Sequence, residues 1–159
     1  MKKKIKIMFV CHGNICRSPM AEFILKKLAA DKGLSEELEI KSSATSSEEI
    51  WGGVGNPMYP PAKRELERHG IPYTERRAVQ LAREDYDRYD MFIGMDSANI
   101  RNMHRIFGSD SKNKIYKLMD FTSHGGDVAD PWYSDRFDIA YNDIYLGCGA
   151  LLDELSRFN

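Results

Sequence analysis

The chain has 159 residues, 42% hydrophobic and 30% charged, with a formal net charge of -1. That balance suits one soluble globular domain over residues 1–159, with a single sizeable core, and excludes a disordered or fibrous chain. The near-zero charge offers no basic footprint for nucleic acid, and the short block Lys2 to Lys4 reads as a solubilising terminus.

The opening "MKKKIKIMFVCHGN" starts like a secretory leader, but the apolar run stops at His12-Gly13-Asn14 and no small-residue cleavage site follows. No segment approaches the roughly 18 apolar residues of a membrane helix, so no membrane partner is expected. Three cysteines, Cys11, Cys16 and Cys148, are too few and too irregularly spaced for a secreted disulfide framework. The expected compartment is the cytoplasm, where thiols stay reduced.

In chain order, "KIKIMFV" predicts a first strand, followed by a Gly-containing loop and a helix. Ser18 can cap that helix, Pro19 fits its first turn, and Met20, Phe23, Ile24 and Leu28 form its apolar stripe up to a stop at Gly33. "LEIKSSA" predicts the next strand and closes a right-handed parallel βαβ unit. "SSEEIWGGVGNPMYPPA" reads as a long loop, "AKRELERHG" as a short helix ending at Gly70, and "YDMFIGM" as a buried strand. "DSANIRNMHRIF" predicts a helix capped by Asp96 or Ser97, and "KIYKLMD" another strand. The loop "FTSHGGDVADPWYSD" leads into a long last helix, "RFDIAYNDIYLGCGALLDELSRF", with some cost at Gly147 and Gly149. Alternating strands and helices predict a three-layer α/β fold, whose central, mostly parallel, four-stranded sheet carries helices on both faces. Ligands of such sheets bind beyond the carboxyl ends of the strands, where Cys11 and the loop holding Asp130 are expected.

The stretch "FVCHGNICRSPMAE" fits an oxyanion cradle with a nucleophile at its floor. A loop running straight into a helix aims backbone N–H groups at one spot, and the helix dipole adds partial positive charge. His12, Gly13, Asn14, Ile15 and Cys16 would form this loop, with Gly13 and Asn14 best suited to positive φ. Arg17 supplies a planar fork for two phosphate oxygens. A cysteine in that field loses its proton readily, and Ser18 can donate its hydroxyl to the thiolate. The plainer reading of Cys11 is a small buried hydrophobe at a strand end, but strand, loop glycine and helix start together match what the chemistry needs.

"VCHGNICRSPMAE" resembles the signature of the low-molecular-weight protein tyrosine phosphatases, with Cys11, Arg17 and Ser18 at matching positions. "DPWY" at 130–133 resembles the family's Asp-Pro and two aromatics, and "SSAT", "GNP" and "MDSAN" resemble further segments. The resemblance implies hydrolysis of tyrosine-phosphorylated proteins and small aryl phosphates, by attack of the Cys11 thiolate and a phosphocysteine intermediate. Arg17 would bind phosphate, Asp130 would act as general acid and then base, and no metal or other cofactor would be needed. The sequence itself offers no convincing metal cluster, since Cys11, His12 and Cys16 crowd one loop without a second ligand group. Trp132 and Tyr133 would wall the pocket, Trp132 standing where the family usually has tyrosine. Asn14 would brace the loop with Ser42 as partner, while Arg76 stands where many relatives have histidine. Glu48 or Trp51, in a loop longer than usual, would border the pocket mouth and choose flanking residues.

Cys16 has two readings: a packing residue, or, by the resemblance, a resolving thiol for Cys11. Cys148, among Leu146, Leu151 and Leu152, reads as core, and the four histidines as loop and surface residues. A monomer is expected. Two alternatives belong to other classes: an arsenate reductase-type thiol enzyme of the same fold, and a non-catalytic phosphotyrosine-binding module. The first needs a cysteine pair in the middle of the chain, and residues 17–147 contain none. The second would be expected to lack nucleophile or acid, yet Cys11, Arg17 and Asp130 are all present.

Overall fold

A computed structural model describes residues 4–157. Lys2 and Lys3 of the basic block, and Phe158 of the last predicted helix, lie outside the described residues. In chain order the elements are β1 (Ile5–Cys11), α1 (Arg17–Asp31), β2 (Leu38–Ala44), β3 (Ile50–Trp51), β4 (Val54–Gly55), α2 (Pro60–Arg68), β5 (Met91–Gly94), α3 (Ser97–Phe107), β6 (Ile115–Lys117), α4 (Pro131–Ser134) and α5 (Phe137–Ser156), with short 3₁₀ turns between some of them.

The central sheet is four-stranded and parallel, in the order β2-β1-β5-β6. Strand β1 is apolar on both faces because both are covered. Its side chains alternate: Ile7, Phe9 and Cys11 join a core with Met20, Ile24, Ala62, Ile144 and Leu151, while Met8 and Val10 join Met103 and Phe107 of α3. The result is the three-layer α/β architecture the pattern predicts, with α1, α2 and α5 on one face and α3 on the other. The chain runs from β1 to β2 on one side and later crosses to β5 on the other. The crevice between the carboxyl ends of β1 and β5 is therefore the switch point where such sheets bind ligands.

Helix α1 ends as expected at Gly33 (φ 70°), where the Leu34 and Gly33 N–H groups donate to Ala29 and Ala30 carbonyls at 2.8 and 3.1 Å. Its start differs, because the flanking residue is Cys16 and no side chain caps it. Ser18 lies inside the first turn, its hydroxyl committed to Cys11 and Asn14. Within the predicted long loop, β3 and β4 form a small antiparallel hairpin. Gly52 and Gly53 make its turn with φ of 56° and 82°, a backbone that glycine adopts most easily. Helix α2 begins at Pro60, two residues before the predicted start, because proline suits a helix's first position. The predicted strand over 114–120 is shorter, since Leu118 and Met119 turn into a 3₁₀ segment and bury themselves. Asp96 caps α3, accepting from the Asn99 N–H at 2.8 Å.

Candidate active site

The site is built where β1 stops. Beyond Cys11 the chain curls through residues 12–16 before α1 begins, and the loop's carbonyls are turned outward. Cys11 O accepts from the Thr45 N–H, His12 O from Ser46 and Ile15 O from Tyr59, at 2.9 to 3.0 Å, and Asn14 O accepts from Arg76 Nη1 at 2.7 Å. With the carbonyls outward, the loop's N–H side faces the sulfur. The Asn14 and Ser18 N–H groups lie 3.3 and 3.4 Å from Cys11 Sγ, and Ser18 Oγ lies 3.0 Å from it. These are the contacts that stabilise negative charge on sulfur, at a buried cysteine that is only 3% exposed.

Of the two residues expected at positive φ, only Asn14 (59°) has it. At Gly13 the constraint is space instead: a Cβ there would come within 3.2 Å of Glu49 Cγ, a tight contact that the glutamate side chain would have to ease. Asn14 is wholly buried, and both ends of its side-chain amide are engaged. Its Oδ1 accepts from the Val79 N–H at 3.0 Å and from Arg76 Nη2, and its Nδ2 donates to Ser18 Oγ at 2.7 Å. Ser42, expected beside Asn14, donates instead to Glu22 Oε1 at 2.6 Å, a buried carboxylate being the stronger acceptor.

Arg17 is buried, 2% exposed, yet charged, which demands partners. Its Nη1 donates to Asp96 Oδ2 at 2.8 Å and to the Val128 carbonyl at 2.7 Å, and its Nη2 lies 3.6 Å from Asp130 Oδ2. Burial by itself would push the guanidinium's pKa down; the negative charges of Cys11, Asp96 and Asp130 outweigh it and hold it above the ordinary arginine value. Cys16 behaves oppositely: burial, then the neighbouring Cys11 charge, push its thiol well above the usual range, and all three cysteines are free. Asp130 stands at the start of α4, its Oδ1 accepting from the Trp132 N–H at 3.0 Å, which aims its other oxygen toward Arg17.

Together these groups floor a cleft of about 130 Å³. Cys11, Arg17 and Asp130 line it with His12, Gly13, Ile15, Cys16, Glu48, Trp132 and Tyr133. Asn14 and Ser18 lie buried behind the loop. Trp51, 74% exposed, is not among the lining residues, and Glu49, unremarked in the sequence, is. His12 and Glu48 pair at 3.0 Å on the rim. Trp132 rests on Tyr59, ring centroids 5.0 Å apart, so its plane is supported from behind. Sequence reasoning also missed Asp96 and Arg76 as parts of the site. Asp96 was visible only as a helix cap, and Arg76 only as a departure from the resemblance. Among the described residues no cluster of three His, Cys, Asp or Glu could hold a metal ion. The arrangement is a cleft with a thiol ringed by N–H donors at its base, a buried guanidinium beside it and a carboxyl at its lip.

Residues 6–158 match the family described as low molecular weight phosphotyrosine protein phosphatase. The chain is 36% identical to the low molecular weight protein-tyrosine-phosphatase YfkJ of Bacillus subtilis over 155 residues, covering 96% of this chain and 97% of the relative. It is 31% identical to the low molecular weight protein-tyrosine-phosphatase PtpA of Staphylococcus aureus over 154 residues, covering 96% and 95%. The crystal structure of YfkJ superposes with a TM-score of 0.92 over 99% of this chain and 98% of that one, at 34% identity. A cysteine cradled by loop amides, an arginine held between two aspartates and a match along almost the whole chain lead to one conclusion: the chain belongs to the low molecular weight phosphotyrosine protein phosphatase family.

Proposed function

We propose that the protein hydrolyses phosphotyrosine in protein substrates, through a covalent phosphocysteine on Cys11. The observation that carries this reading is the sulfur's placement: three donor groups surround it at the floor of a cleft beside the buried Arg17. In the first step the Cys11 thiolate attacks phosphorus in line. An S–P bond forms, the P–O bond to the phenol breaks, and the Asp130 carboxyl gives its proton to the departing oxygen. In the second step the Asp130 carboxylate takes a proton from water as it attacks phosphorus; the S–P bond breaks and inorganic phosphate leaves. Arg17 and the N–H groups of residues 12–18 hold the equatorial oxygens while charge spreads over them.

Trp132 and Tyr133 flank the leaving group's ring, with Tyr59 supporting Trp132. Glu48 and Glu49 place negative charge at the mouth, where flanking residues of a substrate would pass. Among the described residues no helix is long and apolar enough to cross a membrane. The reading adds a cytoplasmic monomer that acts on tyrosine-phosphorylated proteins.

Hydrolysis of an aryl phosphate, without added metal and across pH, tests the reading. Turnover should vanish in Cys11→Ser and fall about 10²- to 10⁴-fold in Asp130→Ala, the range for loss of a general acid. An intact, reduced protein that binds phosphate and never turns over would be a binding module, and the enzyme reading would fail.

A further inference from the structure

Tyr59 stands at the start of α2, where a helix favours a short polar side chain that caps its first N–H groups. Tyrosine does not serve as such a cap, and no side chain caps α2. The residue reaches toward the cleft instead, by two routes. Its backbone is extended (φ -60°, ψ 131°), as the following Pro60 requires, and its N–H donates at 2.9 Å to the Ile15 carbonyl of the loop beyond Cys11. Its ring centroid lies 5.0 Å from that of Trp132, tilted by 49°, and 6.0 Å from that of Phe137, tilted by 38°. A helix cap given up for aromatic contacts breaks a local rule, and such breaks concentrate where a site needs them.

What rests on that ring is α4, the single turn that begins at Asp130. Of residues 131–136 only Pro131 is buried, and the turn ends at Asp135 in a left-handed bend with φ of 61°. Tyr59 meets an aromatic ring on each side of that bend, Trp132 before it and Phe137 after it. Trp132 in turn donates its N–H to Asp130 Oδ1 at 3.0 Å, which leaves Oδ2 facing Arg17. We propose that Tyr59 is a positioning residue for the acid: it sets the turn that carries Asp130 against the loop that carries Cys11, so that the carboxyl meets the leaving oxygen. This role rests on Asp130 being the proton donor. The step it serves is the first: the S–P bond forms, the P–O bond breaks with its electron pair on the phenol oxygen, and that oxygen takes the Asp130 proton.

The test measures kcat/KM on phenyl phosphate, whose leaving group needs a proton, and on para-nitrophenyl phosphate, whose leaving group needs it far less. Tyr59→Ser removes the ring but supplies a neutral cap for α2, and thermal melting checks that the variant is folded. Its kcat/KM should fall about 2- to 10-fold more on phenyl phosphate than on para-nitrophenyl phosphate, the scale of one aromatic pair. Tyr59→Phe keeps the ring and should recover most of the loss. In Asp130→Ala the leaving-group dependence should be large, and adding Tyr59→Ser should make it no larger, because the acid to be positioned is gone. Equal losses on the two substrates would mean the cleft is merely loosened, and would overturn the proposal. So would a phenylalanine variant as impaired as the serine variant. If Tyr59→Ser does not fold, Tyr59→Leu takes its place, with the same expectations. Leaving-group dependence in Asp130→Ala but in no Tyr59 variant leaves the acid standing and removes Tyr59 from its support. Its absence in Asp130→Ala removes the acid and the role of Tyr59 together.

Discussion

Asp96 uses its two oxygens for different purposes. Oδ1 accepts from the Asn99 N–H at 2.8 Å and caps α3, while Oδ2 accepts from Arg17 Nη1 at 2.8 Å and orients the guanidinium that is proposed to bind phosphate. Substitution by asparagine separates the two roles, because asparagine caps helices as well as aspartate does but carries no charge. Asp96→Asn should leave thermal stability near that of the parent. It should also lower kcat/KM about 10- to 100-fold, corresponding to about 1.5–3 kcal/mol for a hydrogen bond to a charged group. Denaturation and steady-state kinetics of one variant check both halves; unchanged kcat/KM would remove Asp96 from the site. At this scale, the meeting of Cys11, Arg17 and Ser18 around one loop was legible because strand end, loop and helix start are contiguous in the chain. Asp96 and Arg76 were not, since they reach Arg17 and Asn14 from 79 and 62 residues away.

At the scale of elements, α5 shows where propensity and packing part company. Its two glycines, Gly147 and Gly149, each count against a helix by about 1 kcal/mol relative to alanine. At Gly149 a Cβ would meet nothing within 4 Å, so Gly149→Ala should stabilise by about 0.5–1 kcal/mol. At Gly147 a Cβ would sit 2.5 Å from Leu118 Cγ, and Leu118 is wholly buried in the 3₁₀ turn after β6. Gly147→Ala should therefore destabilise by about 1–3 kcal/mol, the usual cost of overpacking. Chemical denaturation of the two variants decides it, and equal stabilisation by both would show that Leu118 gives way freely. The same turn explains why the predicted strand "KIYKLMD" ends early: its last residues pack against a helix rather than extend the sheet. The β3–β4 hairpin was also readable in principle, since its Gly52-Gly53 pair is a two-residue turn signal.

For the whole molecule, one sheet serves two cores, and both hold β1 in place. Ile24, fully buried, lies in the core with α2 and α5, and Phe107, 4% exposed, lies in the core under α3. If residues 1–159 form one cooperative domain, as composition and sheet topology suggest, truncation on either face should weaken the same transition. Ile24→Ala should cost about 2–5 kcal/mol and Phe107→Ala about 3–5 kcal/mol. Each melt should stay single, with loss of activity and loss of near-ultraviolet signal coinciding. Two separable transitions in either variant would contradict a single cooperative unit.

The sequence by itself determined the layered α/β class and the strand, loop and helix setting that surrounds Cys11. Hydrophobic period and turn residues act locally, and the eight residues from Cys11 to Ser18 carry the thiol, the curled loop and the guanidinium together. Tertiary structure alone decided what holds that loop in shape. The parallel sheet brings Asp96 to Arg17, the Val128 carbonyl to the same guanidinium from 111 residues away, and Arg76 behind Asn14. No local pattern encodes such meetings, because a buried charge takes whichever partner the folded topology sets beside it.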